Sequence, residues 1–157
     1  MSGVPELVVR IPGTPRPQGK LTGRTAAGQH YPATTVEHRA RAEWIMRKAW
    51  GRPTITKPTP VEVTIIASFP RPASHYGTGR NAGVLKQSAP ATPHSQVPDS
   101  DKIARLLLDA LSNAGVVDDD AQVAVLHIEK RWAPRSAEPF THITVRTVDV
   151  LTRGGAA

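Results

Sequence analysis

The 157-residue chain contains no cysteine, so disulfides and thiolate metal sites are excluded outright. No apolar run approaches the roughly 20 residues that a membrane-spanning helix needs. The stretch from Met1 to Arg10 lacks the basic-then-apolar layout of a secretory signal. Ser-His-Asp arrangements, phosphate-cradling glycine loops, zinc-ligand spacings and internal repeats are all missing. The acidic stretch is no EF-hand either, because the glycine and glutamate at that loop's sixth and twelfth positions are absent. With no cysteine, a reducing compartment is compatible, and the expected location is cytoplasmic.

Hydrophobic residues make up 39% of the chain and charged residues 21%, which fits a globular protein rather than a disordered one. The length suits one domain, expected over residues 1–150, with 151–157 a flexible tail. The net charge of +7 is unevenly spread. Residues 1–60 hold ten Lys/Arg against three Glu, which accounts for the whole excess. Later in the chain the charges cancel, and six acids crowd between Asp99 and Asp120. A basic region beside a compact acidic one suits a polyanion whose chemistry needs divalent cations. Ordinary surface charge on a basic domain is the plainer alternative.

Leu7 to Ile11 reads as a first strand, ended by Pro12 and Gly13. Pro12 to Gly28 is a loop or irregular hairpin carrying Arg16, Lys20 and Arg24. Thr34-Thr35-Val36-Glu37 fits a capping box opening a helix that runs to about Trp50. Its apolar stripe is expected at Val36, Ala40 and Trp44, widened by Ile45 and Ala49, and Gly51 and Pro53 end it. Val61 to Phe69 alternates as a strand. Pro70 to Pro98 is a long loop made positive by His75, Arg80, Lys86 and His94, and loops of that length are uncommon unless functional. Ile103, Leu106, Leu107, Ala110, Leu111 and Ala114 then form the continuous face of a second helix, with Asp99 or Ser100 as cap and Gly115 as stop. Gln122 to Trp132 and Phe140 to Val148 read as two further strands. The order β-α-β-α-β-β predicts an α+β single domain, a mixed sheet packed by two helices.

The chemistry concentrates between Pro98 and Val123. Asp99 and Asp101 stand at the mouth of the second helix, and Asp118-Asp119-Asp120 precede the next strand. Converging carboxylates suit magnesium, a hard cation that takes oxygen ligands and can activate water against a phosphate. Each cluster also has a structural reading: acids near a helix N-terminus offset its dipole by about 0.3–1 kcal/mol, and an acidic turn can simply be solvated. Three consecutive acids repel one another, however, and that repulsion calls for a cation. Arg105 lies four residues from both Asp101 and Asp109. It is either part of an ion-pair ladder or a group that holds the scissile phosphate.

These residues resemble the RusA family of Holliday junction resolvases, especially its phage-encoded branch. The resemblance rests on Asp99-Ser100-Asp101-Lys102-Ile103-Ala104-Arg105, then Asp109-Ala110-Leu111, then Asp119-Asp120-Ala121-Gln122-Val123. Pro12-Gly13-Thr14-Pro15-Arg16-Pro17-Gln18-Gly19-Lys20 is similar to the family's first strand and basic loop, so the likeness runs from about Leu7 to Val148. It implies that Asp99, Asp101 and Asp120 bind Mg²⁺ (or Mn²⁺), and that the protein is a homodimer making paired nicks at a four-way DNA junction. The family's catalytic lysine falls on Arg105. Arginine keeps the charge but gives up no proton near neutral pH, so the position is electrostatic.

A helix from Asp101 to Ala114 is about 20 Å long, and the link from Ala114 to Asp120 reaches back about 20 Å when extended. Asp120 therefore joins Asp101 through a nearly straight linker, or it meets the Asp99/Asp101 pair of the other subunit. Arg16, Lys20, Arg24, Lys86 and Lys130 are the expected DNA contacts, mainly to phosphates. Trp44 and Trp50 are expected to pack rather than stack on bases. Two alternatives share the same residues: a nuclease preferring flaps or forks, and a non-catalytic protein that binds branched DNA. No membrane and no small-molecule cofactor are expected.

Overall fold

The computed structural model describes residues 4–20, 23–25 and 28–148, with the backbone alone for residues 24, 25, 29 and 30. The tail expected at 151–157 lies outside the described residues. The elements are β1 (Glu6–Pro12), β2 (Gly23–Thr25), β3 (Gly28–His30), α1 (Ala33–Trp50), β4 (Val61–Phe69), α2 (Ser100–Asn113), β5 (Val123–Trp132) and β6 (Phe140–Thr147). This is an α+β domain, as its pattern predicts: a mixed four-stranded sheet ordered β1-β6-β4-β5, with two helices. The β2/β3 pair is the irregular hairpin within the basic loop.

Alternation fixes which face of the sheet is buried. Leu7, Val9 and Ile11 point inward from β1, and their registers place them beside Val145, Ile143 and Thr141 of β6. Those in turn lie beside Val63, Ile65 and Ala67 of β4. Three rows of buried side chains thus cross the sheet. They meet Ile103, Leu106, Leu107, Ala110 and Leu111 of α2 in one core. A slip of one residue in any strand would turn its row to solvent.

α1 departs from the sequence expectation twice. Pro32 occupies the position before the helix, and its carbonyl accepts from Thr35 and Val36, so Thr34 lies inside the first turn and no side chain caps it. The capping box therefore does not form. The buried face is also rotated: Thr35, His38, Ala42, Met46 and Trp50 face inward, while Val36 and Trp44 are exposed. Trp50 packs as expected and Trp44 does not. Gly51, left-handed at φ 51°, ends the helix.

β4 and β5 run parallel, and α2 forms the crossover between them. A crossover helix must run back against the strands it joins. The first turn of α2 therefore lies beside the last residues of β4 and β5, where Asp99, Lys102, Phe69 and Trp132 line one cleft. The turn before β5 lies at the other end of the sheet, since Val123 pairs with Val61, the first residue of β4.

Candidate active-site groove

Asp99 precedes α2 in an extended conformation, and its side chain caps no backbone N–H. It pairs instead with the Lys102 ammonium at 2.9 Å. That contact holds the Asp99 carboxyl below its usual range and raises Lys102. Both groups are about half exposed, so the pair contributes little to stability and opens at small cost.

One turn on, Asp101, Lys102 and Arg105 line a groove of about 420 Å³. Its opposite wall is the basic loop: Gln18, Gly19 and Lys20, with Tyr31 behind. The loop is fastened to the helix by the Gln18 N–H, which donates to the Lys102 carbonyl at 2.9 Å. Gly19 lets it lie flat, because a Cβ there would meet Pro32 and the Thr35 hydroxyl at 3.1 Å. Among the described residues Arg105 forms no ion pair, so the Asp101–Arg105–Asp109 ladder is absent and its guanidinium remains open to a ligand. The groove thus joins one carboxylate to three cations on two segments. Lys102, Gln18 and Tyr31 were not singled out from sequence. The Asp-Ser-Asp-Lys run and the Pro-Gln-Gly-Lys run signal the first two, whereas Tyr31 carries no local signal.

A second cleft of about 640 Å³ adjoins it across Pro17 and Lys102. Its floor includes His94, whose ring lies 4.3 Å from Phe69 and 4.2 Å from Trp132. Burial first, then Lys130, lowers the pKa of His94. Its Nδ1 accepts from the Gln96 N–H at 3.3 Å, so this histidine is a packed wall.

The Asp118–Asp120 turn is built differently. Asp118 accepts from the Lys57 N–H, and Asp119 accepts from the Ala121 N–H and pairs with the Lys57 ammonium at 3.3 Å. Gln122 closes the turn. Its Oε1 accepts from Asp118 and Asp119, and its Nε2 donates to the carbonyls of Ile55 and Thr59. Asp120 forms no ion pair among the described residues. A hydrogen bond to Asp119, then partial burial and the charges of Asp119 and Asp109, push its carboxyl up. Asp119 is held below its usual range, chiefly by the Ala121 N–H.

Asp109, whose charge reaches Asp120, lies eight residues after Asp101, about 12 Å along α2. Among the described residues of one chain, no three His, Asp or Glu side chains come together to hold a metal ion. The donor chemistry of Asp99 and Asp101 suits a hard cation.

The other expected contacts divide. Arg16 and Lys20 are exposed and line clefts beside α2. Arg24 lies in β2. Lys86 is exposed in the long loop. Lys130 is half-buried, and its ammonium donates to the carbonyls of Gln96 at 2.6 Å and Pro98 at 2.9 Å. Its visible work is to hold the chain entering α2.

An open groove that sets one helix-borne carboxylate beside Lys20, Lys102 and Arg105 suits a phosphate-bearing ligand. A family model described as Endodeoxyribonuclease RusA matches residues 12–146, and the chain belongs to that family. A search of the curated proteins finds no match. Among the described residues, no helix is long and apolar enough to cross a membrane.

Proposed function

We propose that the protein is a Mg²⁺-dependent, structure-specific endodeoxyribonuclease that resolves Holliday junctions by paired strand cleavage, acting as a homodimer in the cytoplasm of a bacterial cell. The observation that carries the reading is the groove in which Asp101 faces Lys20, Lys102 and Arg105, in a chain whose family is one of DNA endonucleases.

Asp99 and Asp101 would hold the metal, Mg²⁺ or Mn²⁺, once Lys102 swings from Asp99 to the incoming phosphate. When bound, the ion supplies an activated water and offsets charge on the attacking and leaving oxygens. Arg105 grips the scissile phosphate with its planar fork and stabilises the charge that builds on it, without moving a proton. Lys20, Arg16 and Arg24 fix the flanking backbone.

Asp120 enters from the partner subunit. The crossover sets it at the far end of α2 from Asp99 in its own chain, and its carboxyl is pushed up by acidic neighbours with no cation among them. A two-fold dimer then carries two composite sites, one for each strand to be cut.

The deciding assay offers a labelled four-way junction, a flap and a fork with Mg²⁺. Preferential junction cutting is expected, with a loss of roughly 10²–10³-fold in Asp101→Asn. Flap or fork preference would reassign the substrate, and junction binding without cleavage at any Mg²⁺ level would end the enzyme reading. A heterodimer of Asp101→Asn with Asp120→Asn separates the site models. Composite sites leave one intact, so one strand is nicked; sites within a subunit leave none.

A further inference from the structure

At the other end of the basic loop, Thr14, Arg16, Thr34, Glu37, His38 and Arg41 line a cleft of about 220 Å³, closed behind by Gly13. Gly13 has φ +100°, and a Cβ there would stand 3.5 Å from an Arg41 guanidinium nitrogen. That guanidinium therefore lies against the turn after β1. His38 is 7% exposed, on the buried face of α1. Burial, then Arg41, then Arg16 lower its pKa to about 4, so near neutral pH it is an uncharged ring between two permanent cations. Among the described residues, Arg16, Arg41 and Glu37 form no ion pair. The first turn of α1 carries no acid and no side-chain cap.

Two guanidiniums, a buried imidazole and two hydroxyls thus converge on a small cleft whose one carboxylate, Glu37, forms no ion pair with either arginine among the described residues. A tetrahedral oxyanion would supply acceptor oxygens for the fork of an arginine and for the hydroxyls. Glu37, exposed in the same lining, opposes an anion, so the site should be moderate in affinity and tunable. We infer that this cleft is a second phosphate seat, taking a non-scissile backbone phosphate of the bound DNA and setting the register of the strand in the catalytic groove. This rests on the nuclease reading for its ligand, though the seat itself is a property of the free chain. Arg16 and Lys20 are four residues apart, so their Cα atoms are at most roughly 14 Å apart, the rise of about four nucleotides along one strand. The two clefts are therefore close enough to engage phosphates of one strand.

The test uses the full chain in two arms. In the first, inorganic phosphate is titrated while the His38 ring signals are followed by NMR. A saturable shift is expected, weaker in Arg41→Ala and stronger in Glu37→Gln. In the second, four-way junction binding without Mg²⁺ is measured against salt. Each phosphate contact contributes about 0.9 to the slope of log K against log salt, so Arg41→Ala should flatten the slope by about one contact while Arg41→Lys largely keeps it. Unmoved His38 signals, or slopes equal to wild type in a folded Arg41→Ala protein, would overturn the seat. A wild-type protein that fails to cut any branched DNA, yet still shifts His38 with phosphate, would sink the nuclease reading and leave the seat standing.

Discussion

The two acidic clusters are made of the same residue type and behave in opposite ways. At the mouth of α2, Asp99 and Asp101 cap nothing and open onto cations. In the turn before β5, Asp118 and Asp119 are consumed by backbone N–H groups and Lys57, while Asp120 bonds Asp119 and pairs with no cation among the described residues. Acids that satisfy the fold lie where N–H groups need acceptors. The acids proposed for chemistry stand at a helix mouth where Asp99 caps no N–H group.

This contrast can be broken at several points. The largest effect should come from pairing Asp101→Asn with Asp118→Asn in the junction assay: the first should lose roughly 10²–10³-fold in rate, the second less than about tenfold. Equal losses would erase the division. Gln122→Leu removes four hydrogen bonds from a residue 6% exposed. It should destabilise the protein by about 2–4 kcal/mol in urea unfolding, since buried partners are left unsatisfied. A cost below about 0.5 kcal/mol would mean that the turn is not held by this side chain. Asp119→Ala removes a cap and should lower the unfolding midpoint slightly, with cutting largely kept.

The smallest effect has the opposite sign. The folded pKa of Asp120 is raised, so its favourable contribution exists at low pH and is lost as pH rises through that value. At neutral pH the ionised group therefore strains the turn. Asp120→Asn should stabilise the chain slightly, by a few tenths of a kcal/mol after solvent screening, while abolishing cleavage. Asp99 is lowered, so its contribution is present at neutral pH and fades on acidification. Carboxyl titration by NMR should place Asp120 above Asp99, and the reverse order would undo the comparison.

Much of the fold was legible because burial follows period. All six apolar positions expected on α2 are buried, and the strands match to within one residue at either end. The face of α1 was misread because its inward residues include Thr35 and His38. That end of the helix packs under the basic loop rather than on the sheet, so its inner face is polar. Pro32, with its own carbonyl supplying the first hydrogen bonds, displaced the capping box. Asp99, Asp101 and Arg105 were readable as a helix mouth from spacing alone. The company kept by Asp120 was not, because chain distance along α2 and its return link allows both an extended path and a folded one. Only the parallel pairing of β4 with β5 decides that the two acid groups sit at opposite ends.

Lys130 gives the molecule a concealed dependency. Its ammonium grips two successive stretches of the approach to Asp99, so the end of an outer strand acts as the latch for the acidic mouth on another element. Replacing it with a neutral residue would let that mouth drift, weakening DNA cleavage and mimicking a lost phosphate contact. A survey of basic residues scored by activity alone would count a latch as a contact, and salt dependence of binding is what tells them apart.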